Sequence, residues 1–137
     1  MDPATLHAQI KKYEQCICEL EEENRALRER VVSLDKAVSE NQRRKTQFDE
    51  YIWNEKSKLQ RAKDTSQIRI AVGFAEAMSS YYGGQHQADA EYAFSEITSK
   101  LKSSRRDAED DILGNNRSID NLRDEIAYLK TRLAGLS

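Results

Sequence analysis

The sequence predicts an all-α protein, an elongated antiparallel helical hairpin with coiled-coil seams. Apolar residues recur at alternating spacings of four and three over residues 6–52 and again towards the end of the chain, which is the 3.5-residue period of a coiled coil. Proline occurs once and glycine five times in 137 residues, so few residues oppose helix formation. The pair Gly83–Gly84 separates the two apolar patterns and marks the predicted turn.

Composition narrows the classes of function. The chain carries 22 basic and 24 acidic residues, a net charge of −2, and the two signs are interspersed, so no basic stripe is available for nucleic-acid phosphates. No run of about 18 apolar residues would cross a membrane, and the first residues lack the features of a secretory signal. We therefore expect a cytoplasmic protein that neither binds nucleic acid nor inserts into membranes.

The residue types used in catalysis and metal binding are sparse. Cys16 and Cys18 lie two residues apart on a predicted helix and point to different faces, so they do not form a disulfide or share a metal. His7 and His86 are far apart in the sequence. Because the chain has no nucleophile beside a base and no phosphate-cradling loop, we expect no cofactor and no enzymatic activity.

The first helix is predicted over residues 3–80, with Asp2 as its N-cap and Pro3 at its first position. Helix-breaking residues predict a kink near 64–66. Asn24 occupies an a position of the seam. Two interpretations stay open for it, a device that fixes register and oligomeric state, or a water-exposed interruption. Asn41 and Lys45 form a second polar interruption of the seam.

A turn at residues 81–85 and a second helix over 86–134 complete a single predicted domain, 1–137. The turn motif is Tyr81, Tyr82, Gly83 and Gly84, with a positive φ expected for at least one glycine. The second seam begins Phe94, Ile97, Leu101. With a reversal at the glycines, Leu133 would lie opposite Leu34, and the first ~30 residues would extend beyond the second helix.

Such an overhang would leave an apolar stripe without a partner in its own hairpin, so we expect a partner interface there. Trp53, on the flank of the seam, and the most apolar segment of the chain extend this candidate surface. Its residues are Leu6, Ile10, Tyr13, Ile17, Leu20, Asn24, Leu27, Trp53, Phe74 and Met78. Two alternatives stay open: residues 64–84 loop out and the second helix covers the stripe, or the return helix covers Trp53.

Residues 68–84 resemble part of the WXG-type (ESX) superfamily of small helical proteins in type VII secretion. Tyr81-Tyr82-Gly83 stands where that family has Trp-x-Gly, and Ile70-Ala71-x-x-Phe74-Ala75-x-x-Met78 is similar to a Gram-positive subgroup associated with LXG toxins. The resemblance implies a helical hairpin that acts as an accessory targeting factor, a chaperone-like adaptor for toxin export. Its implied partners are the helical N-terminal domain of an LXG toxin and a second small helical accessory protein.

The resemblance also suggests an export signal. Tyr92 and Glu96 fit the Tyr-x-x-x-Asp/Glu spacing used in some of these systems, which would send the chain out together with the toxin. The alternative function is a structural coiled-coil protein that self-associates as a homodimer through residues 6–38.

Overall fold

The computed structural model describes residues 2–65 and 69–136, and every secondary-structure element in these ranges is an α-helix. Helix α1 spans Pro3–Thr65, α2 spans Arg69–Gly83 and α3 spans Gln85–Gly135. Asp2 caps α1, because its Oδ1 accepts a hydrogen bond of 2.7 Å from the backbone N–H of Thr5. This bond lowers the pKa of Asp2. The predicted all-α class is confirmed.

The helices form two compact units. Unit 1 comprises Met1–Leu34 and Ser104–Ser137, and unit 2 comprises Asp35–Ser103. In unit 1, Asn24 of α1 contacts Asn116 of α3, and Glu14 contacts Lys130. Residue numbers therefore rise along one helix as they fall along the other, and the pair is antiparallel. Unit 2 has the same relation, since Asn41 contacts Thr98 and Lys56 contacts Gln87. The predicted antiparallel hairpin is confirmed within each unit.

The chain reverses earlier than the sequence suggested. Within unit 2, Lys63 Nζ lies 3.4 Å from Glu76 Oε1, and the rings of Tyr51 and Tyr82 are 6.2 Å apart, so α2 already runs antiparallel to α1. Chain direction is therefore already reversed at Arg69, where α2 begins. The predicted kink at 64–66 falls partly on residues 66–68, which lie outside the described residues.

The predicted turn at 81–85 is wrong. Tyr81, Tyr82 and Gly83 belong to α2, and Gly84 alone separates α2 from α3. No glycine in the described ranges has a positive φ, so the expected left-handed glycine is also absent there. Gly84 is required for a steric reason, because a Cβ atom at this position would lie 2.7 Å from the carbonyl oxygen of Ser80.

The core of unit 1 covers the start of α1. Leu6 and Ile10 pack against Ile126 and Leu129 of α3, and partly buried Tyr13, Ile17 and Leu133 join this cluster. The predicted overhang of the first ~30 residues is therefore wrong, and Leu133 packs with this cluster instead of lying opposite Leu34. The physical reason is the early reversal, which slides α3 towards the N-terminus of α1. Among the described helices, none combines the length and apolar character needed to cross a lipid bilayer.

Candidate protein-interaction surface

Helix α2 has an inner face that packs inside unit 2. Ala75 is buried, and Val72, Met78 and Tyr82 are half-buried. Successive spacings of three, three and four along these positions place them on one side of the helix. The ring of Tyr82 contacts Tyr51 of α1. Tyr82 therefore lies where α2 meets α1.

A second apolar face of α2 is exposed. Ile70, Phe74 and Tyr81 retain 85%, 64% and 53% of their accessible surface, and Ala77 between them is also exposed. We call these four residues the α2 stripe. Their spacing of four, three and four is that of a coiled-coil seam, so the stripe has the form of a surface that a further helix covers.

Helix α2, which carries the α2 stripe, has few charged residues. Arg69 and Glu76 are the only charged residues of the 15-residue helix α2, whereas charged residues make up 34% of the whole chain. Glu76 is already paired with Lys63. Depletion of charge around exposed aromatic and aliphatic side chains is typical of the centre of a protein interface.

Aromatic contacts fix the end of the α2 stripe. The Tyr81 ring lies edge-on to Tyr82, with centroids 5.5 Å apart, and stacks on the His86 ring at 5.0 Å across the Gly84 bend. A hydrogen bond with Tyr51, together with burial, raises the pKa of Tyr82 above its ordinary value. Tyr81 thus contacts the rings of Tyr82 and His86, and 53% of its surface remains open to solvent.

The interface residues predicted on α1 are mostly covered within the chain. Leu6, Ile10 and Asn24 are buried in unit 1. Tyr13, Ile17, Leu20 and Leu27 are half-buried. The premise of the predicted interface, an apolar stripe with no partner in its own chain, is therefore wrong. The other three predicted residues lie in unit 2, where Trp53 and Phe74 are 68% and 64% exposed and Met78 is half-buried.

Asn24 is part of a polar contact inside unit 1. Its side chain is 2% exposed, its Nδ2 donates to Asn116 Oδ1 at 2.9 Å, and its Oδ1 accepts from Asn115 Nδ2 at 3.0 Å. The water-exposed interpretation is therefore wrong. Both hydrogen-bond partners of Asn24 belong to the same chain.

Sequence reasoning missed a cleft in unit 2. The cleft has a volume of about 400 Å³. We call it the lysine cleft, and it is lined by Gln42, Lys45, Phe94, Ser95, Thr98, Ser99 and Lys102. The available signal was Lys45, a cation at a seam position where an apolar residue is expected.

The candidate export residues lie within α3. Tyr92 is 70% exposed and lies one helical turn before Glu96. A hydrogen bond from Tyr92 and the neighbouring Lys100 lower the pKa of Glu96, and Lys100 Nζ is 3.3 Å from its carboxylate. The two residues are thus joined on the helix surface, and their role in export stays a prediction.

Within the described part of the chain, no group of three or more His, Cys, Asp or Glu side chains is arranged to hold a metal ion. Comparison with protein-family models, curated proteins and solved structures gives no match for this sequence. The surface itself, an exposed coiled-coil seam on an otherwise packed helix, is therefore the basis for a functional hypothesis.

Proposed function

We propose that this chain is a non-enzymatic targeting factor that binds the helical N-terminal domain of an LXG toxin and presents it for type VII secretion. The observation that carries this proposal is the α2 stripe, an exposed seam with the spacing that recognises a helix. The targeting role and the identity of the toxin class come from the resemblance of residues 68–84 to the LXG-associated subgroup.

The motif behind the resemblance has two faces, which supports the proposal. Ala75 and Met78 lie on the inner face, and Ile70 and Phe74 are exposed. Burial in a stable fold explains the inner pair. It does not explain Ile70 and Phe74, because exposed large apolar side chains on one face are characteristic of sites that bind another protein. Binding a helical partner gives them a role.

The alternative of a structural homodimer through residues 6–38 has less support. Leu6 and Ile10, which would form its centre, are covered by Ile126 and Leu129 of the same chain. A dimer through this surface would require the two helices of unit 1 to separate. The α2 stripe needs no such rearrangement.

Co-purification with an LXG-domain protein tests the proposal. The double variant Ile70→Ser, Phe74→Ser should weaken binding at least tenfold, because it removes two apolar anchors, each worth about 1.5–3 kcal/mol when buried. The matched control is Val32→Ser, Leu113→Ser, which changes two apolar residues of unit 1 that are 53% and 55% exposed. This control should bind the toxin domain like the parent.

Isothermal titration calorimetry with the purified toxin domain gives the affinities, and circular dichroism verifies that both variants remain helical. Equal affinity of the stripe variant and the parent would remove the α2 stripe from the interface. Absence of binding by the parent would contradict the targeting function itself.

A further inference from the structure

The lysine cleft of unit 2 is a cationic site with no anion of its own. Lys45 of α1 and Lys102 of α3 line it, and no acidic residue does. This is notable in a chain with a net charge of −2. Unit 1 contains a cleft of about 540 Å³ whose lining carries both signs of charge, and there Glu21 and Arg123 form an ion pair of 3.1 Å.

Lys45 has no carboxylate partner in the described residues. Its side chain is half-buried at a seam position and lines the cleft. A lysine in such a position can bury its aliphatic stem while its ammonium stays at the surface. The adjacent Arg43 and Arg44 both form ion pairs with Glu40. The nearest acidic residue before Lys45 is therefore already paired with other cations. Asp49 lies one turn after Lys45, yet no ion pair joins the two.

Hydroxyl groups add hydrogen-bond donors to the cleft. Asn41 Nδ2 donates to Thr98 Oγ1 at 2.7 Å, so this hydroxyl already accepts a bond and keeps its own hydrogen to donate. Ser95 and Ser99 line the same wall one turn apart. Two ammonium groups and several hydroxyls around one space favour an oxyanion.

We propose that the lysine cleft binds a carboxylate side chain, Asp or Glu, of the partner helix that docks on this protein. The inference rests on the proposed function, since it assigns a second contact to the same partner. A carboxylate fits better than a phosphate. The cleft offers no arginine fork, and its walls come from the interiors of α1 and α3, where backbone N–H groups are already bonded within the helix.

Titration of the isotope-labelled full chain with sodium glutarate tests the cleft without the partner. We expect saturable amide shifts at Lys45, Ser95 and Ser99 in the millimolar range, and no such shifts with sodium chloride at equal ionic strength. The double variant Lys45→Met, Lys102→Met should lose these shifts. The matched control is Lys11→Met, Lys36→Met, two exposed lysines outside the cleft.

A thermal melt separates binding from folding. Methionine keeps the length of the lysine stem and restores an apolar seam residue, so Lys45→Met should raise the melting temperature by about 3 °C while abolishing the glutarate shifts. Retained glutarate shifts in the double methionine variant would overturn the proposal. So would saturation of the cleft by inorganic phosphate at lower concentration than by glutarate.

The last part of the test measures the affinity for the toxin domain. The double methionine variant should bind it at least tenfold more weakly than the parent does. Equal affinity would overturn the inference and leave the proposed function standing. If the parent fails to bind the toxin domain, the proposed function fails, and the glutarate titration still decides whether the cleft binds carboxylates.

Discussion

At the scale of single residues, Asn24 shows how one polar side chain fixes the pairing of two helices. Its amide is buried and bonded to Asn115 and Asn116. Sliding α3 by one turn would bring Ile112 or Ile119 to the amide instead, and the unpaired group would cost about 1–3 kcal/mol. A buried asparagine in a dimeric coiled coil acts in the same way, but here the two helices belong to one chain.

Replacing Asn24 by alanine should lower the free energy of unfolding by about 2–3 kcal/mol, because it leaves a cavity and removes both hydrogen bonds. Urea denaturation followed by circular dichroism measures the change. Asn54→Ala serves as the control, since Asn54 is exposed in the same helix and its loss should stay within about 0.5 kcal/mol. Equal stability of the Asn24 variant and the parent would show that the amide contributes nothing to pairing.

At the scale of the helices, the seam of α1 followed from the sequence and part of the seam of α3 did not. Ile97 was assigned to the seam because it is apolar, but it is 47% exposed, and Thr98 contacts Asn41 of α1 instead. From Leu101 the four-three alternation continues to Arg105 and Ala108. Extended back to Phe94, that alternation passes through Thr98 and misses Ile97. The helical period therefore decided the packing, and the hydrophobicity of a single residue did not.

The position of the reversal was not readable from local signals. Gly83–Gly84 is the strongest turn signal in the sequence, but its conformational advantage amounts to roughly 1 kcal/mol. A reversal there would leave Leu6, Ile10 and their neighbours exposed, at about 1.5–3 kcal/mol for each large side chain. With the chain already reversed in α2, Leu6 and Ile10 are buried against α3. The free energy gained by burying these side chains is larger than the local preference of the two glycines. Predicting the reversal therefore requires the register of both helices to be compared.

The two glycines at the junction of α2 and α3 should respond to alanine with opposite signs. Gly84→Ala should lower stability by about 1–2 kcal/mol, because the new Cβ would meet the Ser80 carbonyl oxygen at 2.7 Å. Gly83→Ala meets only the flexible end of Lys56, 3.0 Å away, and adds helix propensity worth up to about 1 kcal/mol. Differential scanning calorimetry distinguishes the two variants. An increase in stability for Gly84→Ala would show that the bend is dispensable.

At the scale of the whole molecule, one apolar seam is used for folding and another is left exposed for a partner. The α1 seam is used for folding, since Leu6 and Ile10 are buried inside unit 1. The α2 stripe and the lysine cleft both belong to unit 2, together with the exposed Trp53. Composition alone could not separate these roles, because the same four-three spacing describes a seam that is covered within the chain and a seam that awaits a partner.

Because the α1 seam is covered within the chain, the folded protein should be a monomer whose stability does not depend on dimerisation. Its melting temperature should therefore be the same at two micromolar concentrations that differ 50-fold, whereas mass action raises the melting temperature of an obligate dimer with concentration.

Ile10→Asp, which buries an unpaired charge in the cluster of Leu6, Ile126 and Leu129, should lower the free energy of unfolding by at least about 3 kcal/mol. Val32→Asp, at an exposed position of the same helix, should change it by less than about 0.5 kcal/mol. Sedimentation equilibrium gives the mass in each case. A parent protein that sediments as a dimer, and an Ile10 variant that becomes a stable folded monomer, would together show that the seam of α1 is an interface between chains.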